Sequence, residues 1–242
     1  MHPLRRWSVR LSLSIVAAIA PVLSIALDIT TEHNPPFNYQ NGQHVSGIST
    51  EILLEMGRRA GVPLHVQMLP WARAYQSALS LPGTCVYSTV RLPEREDLFK
   101  WVGPLSTNKW ALFAKSDFDK RIRSIEEAKN YRIGGVTMDA KAAYLKSLGF
   151  KRIDLVGDDS LNRAKLLAGR IDLWIAGLYR TTTAENRGQI KPVFIVREVE
   201  YYLACHPETP EKTIAALQQA LATLQKEGFV KAVTDRYANR LH

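Results

Sequence analysis

Cysteine is scarce in this 242-residue chain: two residues, Cys85 and Cys205. That excludes a disulfide-dense scaffold, and no Cys/His spacing resembles a zinc site. No Lys/Arg-rich run occurs, and the basic residues are spread evenly, which argues against a nucleic-acid face. There is no Gly-rich phosphate loop, no Ser-His-Asp arrangement, no internal repeat and no low-complexity segment. After the first 26 residues no stretch is long and apolar enough to cross a bilayer. Nothing calls for a cofactor or a metal.

What is present begins at the N-terminus. Arg5, Arg6 and Arg10 precede an apolar run, Leu11–Ala26, that closes on the small-x-small step Ser24-Ile25-Ala26. This reads as a secretory signal peptide over 1–26, cleaved before about Leu27. A retained membrane anchor is the alternative, and Pro21 argues against it. The mature chain is then expected to be a soluble periplasmic protein with no stable membrane insertion. Cleavage removes three Arg, leaving 29 basic against 23 acidic residues. That excess leaves room for a basic cleft around a small anion. In an exported protein Cys85 and Cys205 form either a disulfide or two buried thiols.

The remaining 216 residues are enough for one large or two small domains. Strands are expected at Ala26–Thr31, Leu64–Met68 and Cys85–Thr89, with helices at Ser46–Ala60 and Ala72–Leu81 between them. A second unit follows. Its strands are Trp110–Ala114, Tyr131–Val136, Arg152–Leu155, Ile171–Ala176 and Val193–Val196. Its helices start near Ser124, Asp139 and Ser160. Tyr201–Cys205 returns the chain to the first unit, and helices Glu211–Lys226 and Phe229–Arg240 complete it. This is an α/β fold of two lobes, the second inserted into the first: 27–107 with 203–242, and 108–202. A cleft between lobes is where small ligands bind.

Several segments resemble one family. Pro35-Pro36-Phe37, Gly42 and Gly47-Ile48 with Glu51-Ile52-Leu53 look like its opening. Pro70-Trp71-Ala72-Arg73 is similar to its aromatic turn, and Arg91–Glu96 with Phe99–Leu105 to its most recognisable stretch. Leu167–Asp172 matches its "L-x-G-R-x-D" step. The order and spacing resemble bacterial extracellular solute-binding proteins of family 3, the amino-acid-binding type. The resemblance implies a type II periplasmic binding-protein fold with a hinged cleft. It also implies a small polar solute, an ABC permease as partner, and a monomer. In that fold the strand at Cys85 neighbours the strand near Cys205, so the resemblance implies their pairing.

The resemblance assigns the grip on a ligand carboxylate to Arg95. A planar guanidinium suits that task because it donates two parallel charge-assisted bonds and keeps its proton. The competing readings are a surface ion pair for Arg95, and Arg91 in its place. Trp71 falls at the aromatic cleft position or in a lobe core. Arg73 is a further candidate or an exposed helix residue. Glu32, His33 and Asn34 follow the first strand, where the family lines its cleft. In the second lobe the family's Gly-Ser/Thr step reads Thr137-Met138-Asp139, and the position of the usual ammonium partner reads Gly177. Asp139 is either a substitute partner or a helix cap; as a cap alone, it should tolerate Asn. Two further function classes stay open: a periplasmic enzyme resembling cyclohexadienyl dehydratases, with Glu32 or Asp139 as general acid, and a sensor module for a membrane partner.

Overall fold

Gly47 fixes how the chain enters its first helix. It sits at φ 128°, and a Cβ there would lie 2.3 Å from the Phe37 carbonyl oxygen. Only glycine permits that approach. The following helix α1 (Ile48–Ala60) buries Ile48, Ile52, Leu53 and Met56 on one face and ends at Gly61 in the left-handed conformation. The computed structural model describes residues 26–179 and 186–239. The leader expected over 1–26 therefore lies outside the described residues, Ala26 apart.

The strands are β1 (Leu27–Thr31), β2 (Tyr39–Asn41), β3 (His44–Ser46), β4 (Leu64–Met68), β5 (Thr84–Val90), β6 (Lys100–Lys115), β7 (Ile133–Val136), β8 (Ile153–Val156), β9 (Leu173–Gly177) and β10 (Ile190–Cys205). The other helices are α2 (Trp71–Ser80), α3 (Ile125–Ala128), α4 (Ala140–Ser147), α5 (Ser160–Leu167), α6 (Glu211–Lys226) and α7 (Phe229–Asn239). Eight strands form one sheet in the order β4-β1-β5-β10-β6-β9-β7-β8. β1 runs parallel to β4 and β5, and β7 runs parallel to β8 and β9. These are the two βαβ halves that the alternation of elements implies.

The halves are joined by β6 and β10, two 16-residue strands paired antiparallel from Lys100–Cys205 to Lys115–Ile190. One end of β10, Tyr201–Cys205, also pairs with β5, while the other end of β6, Trp110–Phe113, pairs with β9. Helices cover both faces of each half. In the first, Ile29, Leu53, Met56 and Leu221 pack on one face, and Tyr75, Val86 and Phe99 on the other. In the second, Ile133, Leu145 and Ile175 form one cluster, and Phe113, Leu166 and Trp174 another. Every residue of β5 is buried, as expected of a strand covered on both faces.

Three sequence expectations differ from the structure. Val193–Val196 and Tyr201–Cys205 belong to one strand, β10, whose register shifts after Pro192, Ile195 and Tyr201. The bulges and the exposed Arg197, Glu198 and Glu200 break the alternation that marks a strand. β6 begins ten residues earlier than expected, because Gly103-Pro104 and the polar Ser106–Lys109 carry no strand period. The β2–β3 hairpin is too short for a periodic pattern; Gly42, at φ 59°, makes its turn.

Cys85 and Cys205 sit opposite each other in the β5–β10 register and are joined by a disulfide, their Cα atoms 3.9 Å apart. The bond spans 120 residues and ties β5 to the end of the returning strand. Closing so long a loop restricts the unfolded chain strongly. The double variant Cys85→Ala/Cys205→Ala is expected to lose about 2–5 kcal/mol of stability while keeping its fold. Urea unfolding under non-reducing conditions, compared with wild type, checks this.

Candidate functional site

The carboxyl ends of parallel strands from the two halves face each other. Glu32 and His33 follow β1, Leu69 and Pro70 follow β4, Val136 ends β7, and Gly157-Asp158-Asp159 follows β8. Together with Trp71, Arg163 and Trp174 they enclose a cleft of ≈ 550 Å³. Strand carboxyl ends are where open α/β sheets bind ligands. A smaller space lies beside the cleft, sharing Glu32 and Trp71 with it and walled further by Ser88, Arg95, Trp110, Asp139, Lys141 and Tyr201.

Arg95 is positioned by the single 3₁₀ turn Pro93–Leu98, in which it is the buried residue at 6% exposure. Pro93 presets the first φ of that turn. The Arg95 guanidinium donates through Nη2 to the Met138 carbonyl at 3.0 Å and through Nη1 to the Val90 carbonyl at 3.5 Å. It lies 4.7 Å from the centre of the Tyr75 ring and 5.9 Å from that of Trp71. Among the described residues no carboxylate forms an ion pair with it. The surface pair that the sequence left open for Arg95 is made instead by Arg91, which grips Glu96 with both Nε (2.7 Å) and Nη2.

Trp71 meets both of its readings. It packs in the core with Ala74 and Tyr75, and it walls the cleft, donating Nε1 to the Met138 carbonyl at 3.0 Å. Two donors from the first half thus converge on one acceptor of the second. Met138 presents that carbonyl from a left-handed backbone, φ 63°. Glu32 lines both spaces, and His33 lines the cleft.

Four other candidates lie off these walls. Arg91 belongs to a separate groove with Arg197, Glu200 and Tyr202, and stacks near the rings of Trp101 and Tyr202. Arg73 is exposed on α2. Asn34 is buried and donates Nδ2 to the Tyr201 hydroxyl oxygen at 3.3 Å, so it supports the wall from behind. Thr137 is exposed just past β7 and spends its backbone N–H on the Val156 carbonyl.

Asp139 is the N-cap of α4, accepting from the Lys141 backbone N–H at 2.6 Å. It also receives the Lys141 ammonium at 2.9 Å, a partner that the sequence reading missed. Burial is the largest single influence on Lys141 and would lower its pKa; Asp139, together with Tyr201, Glu32 and Asp159, more than offsets it and holds the ammonium above its ordinary value. The Asp-x-Lys spacing was the available signal, but nothing in it says that both groups are buried. Asp139 is a cap, as one of its two readings had it, and is also an ion-pair partner, so the tolerance of Asn expected of a cap alone does not apply to it. The Gly177 departure also has a cause. A Cβ there would lie 2.6 Å from the Asn108 amide nitrogen, which donates to the Tyr201 hydroxyl oxygen at 3.0 Å. Asn108 thus occupies the space that a longer side chain at Gly177 would need. The Tyr201 hydroxyl, taking amide donors from Asn34 and Asn108, has its pKa raised by burial.

At the far wall the turn before α5 is ordered by Asp158, which accepts from the Ser160 backbone N–H at 2.8 Å. Asp159 accepts from the Trp174 indole at 2.9 Å. Among the described residues no group of three or more His, Cys, Asp or Glu is placed to hold a metal ion, and no helix is long and apolar enough to cross a membrane.

The sequence profile of the bacterial extracellular solute-binding proteins, family 3, matches residues 27–240. This chain belongs to that family. No curated protein matches it. Among solved structures, a histidine kinase sensor domain with similarity to periplasmic binding proteins superposes with a TM-score of 0.79 at 17% identity, covering 88% of this chain and 95% of the other. An ancestral arginine-binding protein bound to arginine gives 0.78 at 16%, covering 88% and 97%. The arginine-, lysine-, histidine-binding protein ArtJ from Geobacillus stearothermophilus gives 0.77 at 14%, covering 88% and 95%. These likenesses establish the two-lobe periplasmic binding-protein fold, and the family carries a solute-binding role.

The buried Asp139–Lys141 pair yields a direct prediction for this family member. Asp139→Asn removes the carboxylate bonded to a largely buried ammonium, leaving only the more distant Glu32 and Asp159, and is expected to cost up to about 3–5 kcal/mol. Asp139→Asn with Lys141→Met removes both charges and should recover most of that loss. Chemical denaturation of the two variants and wild type checks the pattern; an Asp139→Asn protein as stable as wild type would refute it.

Proposed function

We propose that the protein captures a small polar, carboxylate-bearing solute, an amino acid or a related compound, in the cleft between its lobes. The observation that carries this is Arg95: a buried cation beside the cleft, held by two carbonyls and by no carboxylate among the described residues. A buried charge without a countercharge is costly, and a solute carboxylate supplies the missing one with two charge-assisted bonds. Trp71 and Trp174 offer apolar faces in the cleft wall, which also carries three acids, Glu32, Asp158 and Asp159, against one cation, Arg163. The arginine binders among the similar structures are consistent with such a dipolar solute.

In this reading the chain works in the periplasm after loss of residues 1–26, as a monomer, and delivers its solute to an ABC permease. The lobes divide at 107/108 and 202/203, near the places where β6 and β10 change partners. Solute binding then shifts the population toward closed lobes. A sensor role is the second reading, supported by the likeness to a histidine kinase sensor domain. Enzymatic turnover has less support, since Asp139, one candidate general acid, is committed to Lys141. Glu32 is the other candidate.

A thermal-shift screen against amino acids, dicarboxylates and amines finds the solute, and calorimetric titration of variants tests the grip. Arg95→Ala is expected to weaken binding by roughly 30-fold to several thousand-fold, the cost of stranding a buried charged partner. Arg91→Ala, which removes a surface pair with Glu96, should bind within about 2-fold of wild type. The reverse order of losses would assign the grip to Arg91.

A further inference from the structure

Trp110 carries a donor that no described residue accepts. It lies on β6 where that strand takes up β9, and it is fully buried. Its indole N–H has no acceptor among the described residues. The other two indoles of the region are both satisfied, Trp71 by the Met138 carbonyl and Trp174 by Asp159. A stranded buried donor costs free energy, and Phe would supply apolar bulk without it. Among the described residues two other buried side-chain polar atoms lack partners, on Asn162 and Thr209, but neither residue walls the inner space. Trp110 does.

Acceptors in and beside that wall bond other donors, and none takes the Trp110 N–H. Asp139 holds Lys141, the Tyr201 oxygen receives two amides, and the Met138 carbonyl receives Trp71 and Arg95. The ring of Trp110 also lies 5.9 Å from the Lys141 ammonium and 5.8 Å from the Arg197 guanidinium. Cations against an indole polarise it and strengthen its N–H as a donor. The inner space amounts to ≈ 10 Å³ in this arrangement, room for about one oxygen-sized atom.

We infer that the Trp110 indole N–H donates a hydrogen bond to an oxygen of the bound solute. Trp110 is then a specificity-determining residue that favours solutes placing a carboxylate, carbonyl or hydroxyl oxygen in the inner space. This rests on the reading of the cleft as the solute site, and adds a second anchor to Arg95.

The test titrates wild type, Trp110→Phe and Arg95→Ala with L-arginine, L-glutamine, L-glutamate and succinate by calorimetry. It also follows the indole ¹⁵N–¹H resonances, assigning that of Trp110 by its loss in Trp110→Phe. Trp110→Phe should bind the wild-type solute about 10-fold more weakly, one buried hydrogen bond lost. The Trp110 resonance should move downfield at saturation. Trp110→3-benzothienylalanine keeps the bicyclic outline without the N–H. It should show the same loss, which separates donation from packing and serves if the Phe variant does not fold. Affinity within about 2-fold of wild type in the isostere, or an unmoved resonance at saturation, overturns the inference. Wild-type binding of none of the four overturns it together with the reading beneath it. Full affinity in Arg95→Ala with loss in the isostere rejects the Arg95 grip and leaves Trp110 standing.

Discussion

The antiparallel ladder between β6 and β10 is the constraint on which the rest of the structure depends. A strand rises about 3.3 Å per residue, so sixteen residues reach roughly 50 Å, enough to run through both halves. Each half supplies its own βαβ layers, but neither closes its sheet without these two strands. The disulfide pins one end of the ladder to β5. The register shifts of β10 flank its crossing segment, Arg197–Tyr201, which pairs without a break with Ser106–Trp110 where the strand passes from one half to the other. Bulges on either side add local bend and twist, while the crossing itself stays a regular ladder.

This arrangement fixes what the cleft is made of. Parallel strands in both halves present their carboxyl ends to the same gap, so loops, caps and helix starts meet there rather than apolar faces. The polar groups brought together are mostly resolved among themselves. Lys141 neutralises Asp139, and Asn34 and Asn108 satisfy the Tyr201 oxygen. Against that settled background Arg95 and the Trp110 N–H stand out, because each is buried and incompletely answered by the protein. Unanswered groups in a well-satisfied wall mark where an outside molecule completes the set.

The sequence was legible where the physics is local. Amphipathic spacing and glycine stops gave α1, and α6 begins and ends where its pattern does. Asp139 read correctly as a cap because capping depends on two or three neighbouring residues. Arg95 and Trp71 were legible only through the resemblance, which supplied a register that composition cannot. What stayed hidden depends on contacts far apart in the chain. The burial of Lys141, the Asn108 amide beside Gly177 and the stranded indole of Trp110 all follow from how β6, β9 and α4 pack. Arg91 and Arg95, four residues apart, illustrate the limit: their neighbours in sequence are the same acids, and only the fold gives Glu96 to one and the inner space beside the cleft to the other.

The Met138 carbonyl links the two halves beside the cleft. It accepts from both Arg95 and Trp71, so one backbone oxygen of the second half holds the two groups that a solute would need from the first. A carbonyl is a neutral acceptor, whereas a carboxylate adds a countercharge and can take two parallel guanidinium bonds. A carboxylate reaching Arg95 therefore has an energetic advantage over the bond it displaces, and the Met138 carbonyl keeps its bond from Trp71. The protein's own contact keeps Arg95 hydrogen-bonded without neutralising it. In that arrangement hydrogen bonding limits the cost of burying the guanidinium, while the unmatched charge preserves its preference for an anion.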